Sequence, residues 1–154
     1  MSTIKILATL LSLNIASSVY AISFEVIGPC TSTPIYQDKN TKTDITQSLG
    51  SISLNVFNKQ KIPYIGTEAG FNSILNTPTG DALIEVISDT KMRAYGWCYS
   101  VNSAIPDVLA GDYFLTNSND SVVWFFAYST YDSGNWTDYC VPSYRVSAKQ
   151  FCPR

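Results

Sequence analysis

Apolar and polar positions change rhythm several times along the chain. Residues 6–15 (ILATLLSLNI) form an apolar core behind Lys5, and ASSVYA follows at 16–21. A positive start, an apolar run too short to span a bilayer, and Val19 and Ala21 at the cut predict a removable secretory leader over residues 1–21. Residues 22–28 (ISFEVIG) alternate in polarity and predict a first strand. Residues 29–44 are polar, with Pro29 and Pro34, and predict a long loop or a second strand around Ile35–Tyr36. The stretch 45–62 carries two rhythms. Ile45, Leu49, Ile52 and Val56 fall on one helical stripe, whereas Ile52, Leu54 and Val56 alternate as in a strand. Gly50 weakens a helix by ~1 kcal/mol. Asp44 with Gln47 three residues later fits a capping box and tips the reading toward a helix over 48–60.

Beyond Pro63, Gly66 and Gly70 punctuate an extended segment with a turn, and TPTGD at 77–81 is a loop. Residues 82–87 are a short apolar run, and 93–102 (RAYGWCYSVN) form a long strand. A connector covers 103–112, a short strand 113–115, and the strongest strand 121–131 (SVVWFFAYSTY). The tail from Trp136 onward, with two cysteines and two prolines, is expected to be irregular and stapled. One helix among about six strands predicts an α+β domain over 22–154.

Strand parity then sorts the aromatic residues. Tyr95, Trp97, Tyr99 and Val101 share one face, as do Val122, Trp124, Phe126 and Tyr128. The strand at 121–131 is apolar on both faces and is expected to be central and covered on both sides. One helix covers one face. The other requires the tail, a partner or a ligand.

Composition narrows the chemistry. The chain has 154 residues, a net charge of −2, 14% charged residues and no histidine. A mildly acidic chain is a poor match for nucleic-acid phosphates. The lack of histidine excludes Ser-His-Asp and Cys-His catalysis and His-ligated zinc. The nine Asp sit mostly at turns, so paired catalytic carboxylates are not expected, nor is a calcium loop with full ligand spacing. Neither a metal nor a cofactor is expected, and no later segment is long and apolar enough to span a membrane. Asn119–Ser121 and Asn135–Thr137 match the N-glycosylation pattern and place both loops at the surface. Cys30, Cys98, Cys140 and Cys152 behind an export signal predict two disulfides. Three pairings are open, of which Cys98–Cys140 with Cys30–Cys152 is favoured, the latter joining the start of the domain to its end.

The order GWCYSVN, a Pro-containing connector, DYFL, a polar turn and SVVWFFAYST resembles the signature of the family called domain of unknown function 4430. The resemblance covers about residues 46–131. That family is similar to the C-terminal domain of transcobalamin and intrinsic factor. The resemblance implies a β-grasp-like mixed sheet with one packed helix and places the helix near 46–60. In the cobalamin carriers a helical barrel completes the site, and this chain carries no such barrel.

The functional expectation is an exported, secreted or periplasmic, non-catalytic module. Two readings stay open. In one, Arg93, Tyr95, Trp97, Tyr99, Trp124 and Tyr128 form an aromatic groove that stacks a small flat or cyclic ligand, with Arg93 adding a charge-assisted hydrogen bond. In the other, those aromatics are core, the Cys98–Cys140 bridge pins the tail over the small-residue face, and the protein is a structural or envelope accessory that contacts another protein.

Overall fold

The computed structural model describes residues 20–152. Residues 1–19 of the expected leader lie outside that range. The strand β1 (Tyr20–Ile27) includes the last two leader residues, which pair with Thr43 and Lys42 of β2 (Pro34–Thr43). The polar stretch after Pro29 is thus mostly a strand rather than a loop. It lies at the sheet edge, with Tyr36 packed against the core and Thr41 buried, while Ile35, Gln37, Lys39 and Lys42 are exposed.

The helix α1 spans Leu49–Gln60. Ser48 caps it in an extended conformation, its side chain accepting from the Ser51 N–H. Asp44 does not take that role. Its carboxylate accepts from the backbone N–H and the hydroxyl of Thr46, closing a local turn. Lys61, in the left-handed region at φ 55°, ends the helix by donating its N–H to Phe57 and Asn58. The buried face carries Leu49, Ile52, Val56 and Phe57. Gly50 is on that face for a steric reason: a Cβ there would lie 1.8 Å from the Glu68 carbonyl oxygen.

After α1 comes a hairpin of β3 (Tyr64–Thr67) and β4 (Gly70–Ile74), then β5 (Ile84–Ser88), β6 (Lys91–Val101), β7 (Ser121–Asp132) and β8 (Asn135–Pro142). The main sheet runs β2-β1-β7-β6-β5, with β8 on the remaining length of β7 beyond β1. Only β1 and β7 are parallel; the other pairs are antiparallel. The domain is therefore α+β, a mixed sheet with one helix. Two sequence expectations change here. Residues 113–115 form no strand, only a bridge from Phe114 to Ser48, and the Tyr113 carbonyl accepts from the Leu49 N–H at the start of α1. The tail is not irregular throughout, since β8 pairs with β7. The apolar run near 84–87 forms the other sheet edge, and Val86 there is 76% exposed.

As its composition requires, β7 is central and buried on both faces. Val122, Trp124 and Phe126 face one way, Phe125 and Ala127 the other. Trp124 lies under α1 and donates from Nε1 to Ser53 Oγ at 2.9 Å, and Ser53 donates on to the Leu49 carbonyl. Ile22, Phe24 and Val26 of β1 complete this core with Phe57 and Phe71. A second cluster gathers Tyr95, Phe126, Ala148 and Phe151. The Phe151 ring sits 4.9 Å from Tyr95 and 5.0 Å from Phe126. By parity these rings share the sheet face that α1 covers. The end of the tail, at Ala148 and Phe151, thus packs on the face that the helix covers.

Both disulfides have the favoured pairing, Cys30–Cys152 and Cys98–Cys140. The first ties the tail back to the end of β1. The second reaches from β6 across the small-residue face to a bulge in β8, where Cys140 takes φ 49°. This bulged segment is the part of the tail after Trp136 that lies against that face, beside Trp136 and Tyr139. No helix among the described residues is long and apolar enough to cross a membrane.

Candidate functional site

Parity does bring the six expected ligand residues onto one sheet face. Tyr99 stands opposite Trp124, Trp97 opposite Phe126, and Tyr95 opposite Tyr128. Their surroundings separate them. Trp124 is 1% exposed, Tyr95 5% and Tyr99 7%, so these three rings are core and offer no open stacking face. Tyr95 donates its hydroxyl to Glu85 at 2.6 Å. Burial, reinforced by that carboxylate, holds its phenol well above the usual range. Tyr99 donates to the Val108 carbonyl at 2.8 Å. Burial, then the nearby Tyr113 and Asp112, push it up to about 12. Arg93 is engaged by Glu85 at 3.2 Å and lies 5.0 Å over the Tyr128 ring. Tyr128 is half-buried beside the tail cluster. The continuous aromatic groove expected from the sequence is therefore not an open surface, because α1, the hairpin and the tail all settle on it.

Trp97 is the exception. It is half-buried, and its Nε1 donates to Thr77 Oγ1 at 2.8 Å. It stands at the inner edge of a cleft of about 490 Å³. One wall is the β3–β4 hairpin from Gly66 to Asn72, the base is the edge of β6 from Trp97 to Tyr99, and the other wall is the connector from Ile105 to Ala110. Ile105 is 50% exposed, Val108 50% and Leu109 60%. These three residues were missed as candidates by the sequence reading. The signal for them is the apolar content of SAIPDVLAGD, which is unusual for a connector with no buried strand to fill.

Local chemistry fixes this connector. Asn102 and Ser103 turn through the left-handed region at φ 52° and 68°. Asn102 donates to Asp120 at 2.8 Å and accepts from the Ser121 N–H. Asp120, 3% exposed, also accepts from the N–H groups of Thr116 and Asn117. Burial acts to raise its pKa, but these hydrogen bonds outweigh it and hold the carboxyl below its usual value. Val101 and Ala104 exchange two backbone hydrogen bonds, closing the turn.

A second, shallower groove of about 320 Å³ lies on the opposite face. Ala94, Gly96, Cys98 and Ala127 form its floor, and Trp136 and Tyr139 stand beside it. Trp136 is 42% and Tyr139 70% exposed, so the accessible aromatics of that face come from β8. Among the described residues, no group of three or more His, Cys, Asp or Glu is placed to hold a metal ion.

The mixed sheet, its single helix and its two staples define a small disulfide-bonded α+β module. Residues 66–127 match the model of the family described as Domain of unknown function (DUF4430). No curated protein matches the chain. The matched segment holds both walls and the β6 base of the larger cleft. The helix and three of the four cysteines lie outside it.

Proposed function

We propose that this is an exported, non-catalytic, β-grasp-like binding module whose occupant enters the cleft between the β3–β4 hairpin, the β6 edge and the connector at 105–110. The observation that carries this reading is the cleft itself. Its volume falls within the usual range for ligand sites, and Ile105, Val108 and Leu109 stand exposed along it with no packing role of their own. Two disulfides suit an oxidising compartment, secreted or periplasmic, and the leader over 1–21 supplies the route. The similarity to the transcobalamin and intrinsic factor domain that the sequence resemblance implies favours a binding role over a catalytic one. The aromatic residues act here chiefly as scaffold, with Trp97 alone among the six meeting the occupant through its ring.

The test is a screen of neutral cyclic and aromatic fragments against the isotopically labelled, disulfide-intact protein. Amide shifts should concentrate on Trp97, Tyr99 and Leu109. Leu109→Asp, at an exposed position, should abolish them without changing the melting temperature. Fragments that bind only at Trp136 and Tyr139 would overturn this site assignment.

A further inference from the structure

The base of the cleft is an unpaired stretch of sheet edge. Strand β5 covers the outer edge of β6 only as far as Ala94, and Ala104 covers it again at Val101. In an antiparallel ladder, backbone N–H and C=O groups point to alternate sides on alternate residues. Val101 turns its pair outward to Ala104, and Arg93 stands opposite Glu85 on that same side. Trp97 and Tyr99 have the same parity, so their N–H and C=O groups also point outward. Among the described residues, those groups have no backbone or side-chain partner, and both residues line the cleft. The gap from Tyr95 to Ser100 is about 20 Å long at ~3.3 Å per residue, room for a strand of five or six residues. Proteins usually block such edges with charge, proline or a covering loop. Here the edge is flanked by apolar side chains instead.

Charge defines what fits there. Glu68, Asp107 and Asp112 are exposed beside the lining residues of the two walls, and the Glu68 carboxylate accepts from the Ser51 hydroxyl at the start of α1. Residues 62–90 and 94–144 contain no lysine or arginine. Arg93 is engaged by Glu85, and Arg145 stands in the adjoining pocket, which shares Ile105 and Cys140 with this cleft. Three carboxylates to one neighbouring arginine leave the surroundings of the cleft acidic on balance.

Building on the binding role proposed for this cleft, we infer that its occupant is an extended polypeptide segment of a partner protein, with basic side chains alternating with apolar ones, that adds as a strand to the free edge of β6 at Trp97 and Tyr99. Backbone hydrogen bonds supply affinity and the acidic surroundings supply selection. Ile105, Val108 and Leu109 receive the apolar side chains.

The experiment titrates the labelled, disulfide-intact protein with a blocked eight-residue peptide of alternating lysine and valine. Three companion peptides carry glutamate for lysine, N-methyl groups on every second backbone amide along one edge, or the same along the other edge. The lysine peptide should shift the Trp97 and Tyr99 amides saturably, and added salt should weaken it. The glutamate peptide should bind at least about tenfold more weakly. N-methylation along one peptide edge should abolish binding, while along the other edge it should be tolerated. Asp107→Asn should weaken binding severalfold with an unchanged melting temperature. Equal binding by the glutamate peptide, or by both N-methylated peptides, would overturn the inference. So would self-association of the protein alone through the Trp97 and Tyr99 amides, which would make a second copy the occupant. If the lysine peptide is silent while neutral fragments still shift Trp97 and Leu109, strand addition fails and the binding cleft stands. If both are silent, both fail.

Discussion

Replacing Gly50 with alanine should destabilise this protein, although the same change in an ordinary helix stabilises it. In an exposed helix interior, alanine is favoured over glycine by about 1 kcal/mol. At Gly50 the added Cβ would lie 1.8 Å from the Glu68 carbonyl oxygen and 2.5 Å from its carbonyl carbon. Optimal non-bonded separations are nearer ~3.5 Å, so helix and hairpin must part by well over an ångström. Backbone cannot rotate away as a side chain tip does. On the other side, a Cβ at Gly111 would be 3.3 Å from the same oxygen, so Glu68 is held between two glycines. Overpacking of this type costs about 1–3 kcal/mol and exceeds that where backbone must move. Set against the propensity gain, a net loss of about 1–2 kcal/mol is expected. Guanidinium unfolding followed by tryptophan fluorescence reads it directly. With a slope near ~4 kcal/mol/M, the midpoint should fall by about 0.4 M. Lys59→Ala, on the exposed side of α1, is the control and should shift it little. A Gly50→Ala protein as stable as the parent, or more so, would refute the close approach of helix and hairpin and with it the placement of that cleft wall.

Three further outcomes follow from the same geometry. Val56→Ala, at a position 6% exposed beneath the helix, should cost about 1–2 kcal/mol, whereas Leu54→Ala on the more exposed side should cost less; equal losses would contradict the helical register. Asp120→Asn should cost about 1–3 kcal/mol at neutral pH by leaving its N–H donors poorly matched. Because the folded-state pKa of Asp120 is depressed, its contribution is complete above the unfolded-state value of about 4 and is lost as pH falls through the folded value, so the variant should show a shallower loss of stability below about pH 4, as read by melting temperature against pH. Reduction of both disulfides should lower the melting temperature markedly. Cys30–Cys152 spans 122 residues and Cys98–Cys140 spans 42, so each contributes on the order of 4 kcal/mol in the chain-entropy model, and a negligible shift would show that the core alone holds these loops closed.

Much of the scaffold is legible in the sequence because it rests on local pattern. The double-sided apolar run at 121–131 identifies the central strand, and the parity of 95, 97 and 99 against 124, 126 and 128 holds residue for residue. The helical stripe of Leu49, Ile52 and Val56 identifies α1. Its cap was misplaced because Asp44 and Ser48 both suit capping, and only the bridge from Phe114 to Ser48 fixes where the helix begins. Strand β2 was obscured because most of its inward positions, Asp38 and Thr41 among them, are polar, so its burial alternates without an apolar alternation in the sequence. The site was harder still. Sequence parity gathers the aromatics but does not say what covers them, and covering is a tertiary property of α1, Phe71 and Phe151. The open edge at Trp97 and Tyr99 is likewise invisible locally, since it exists only because β5 stops at Ala94 and the connector returns at Ala104.

Amide hydrogen exchange in the free protein tests the open edge most directly. Gly96 and Cys98 face β7 with their backbone groups, opposite Ala127 and Phe125, and their amides should be strongly protected. The amides of Trp97 and Tyr99 point into the cleft and should exchange far faster, giving an alternation along one strand that burial alone does not produce. If all four amides exchange equally slowly, the β6 edge is already occupied within the folded chain, and neither the cleft nor its occupant is as described.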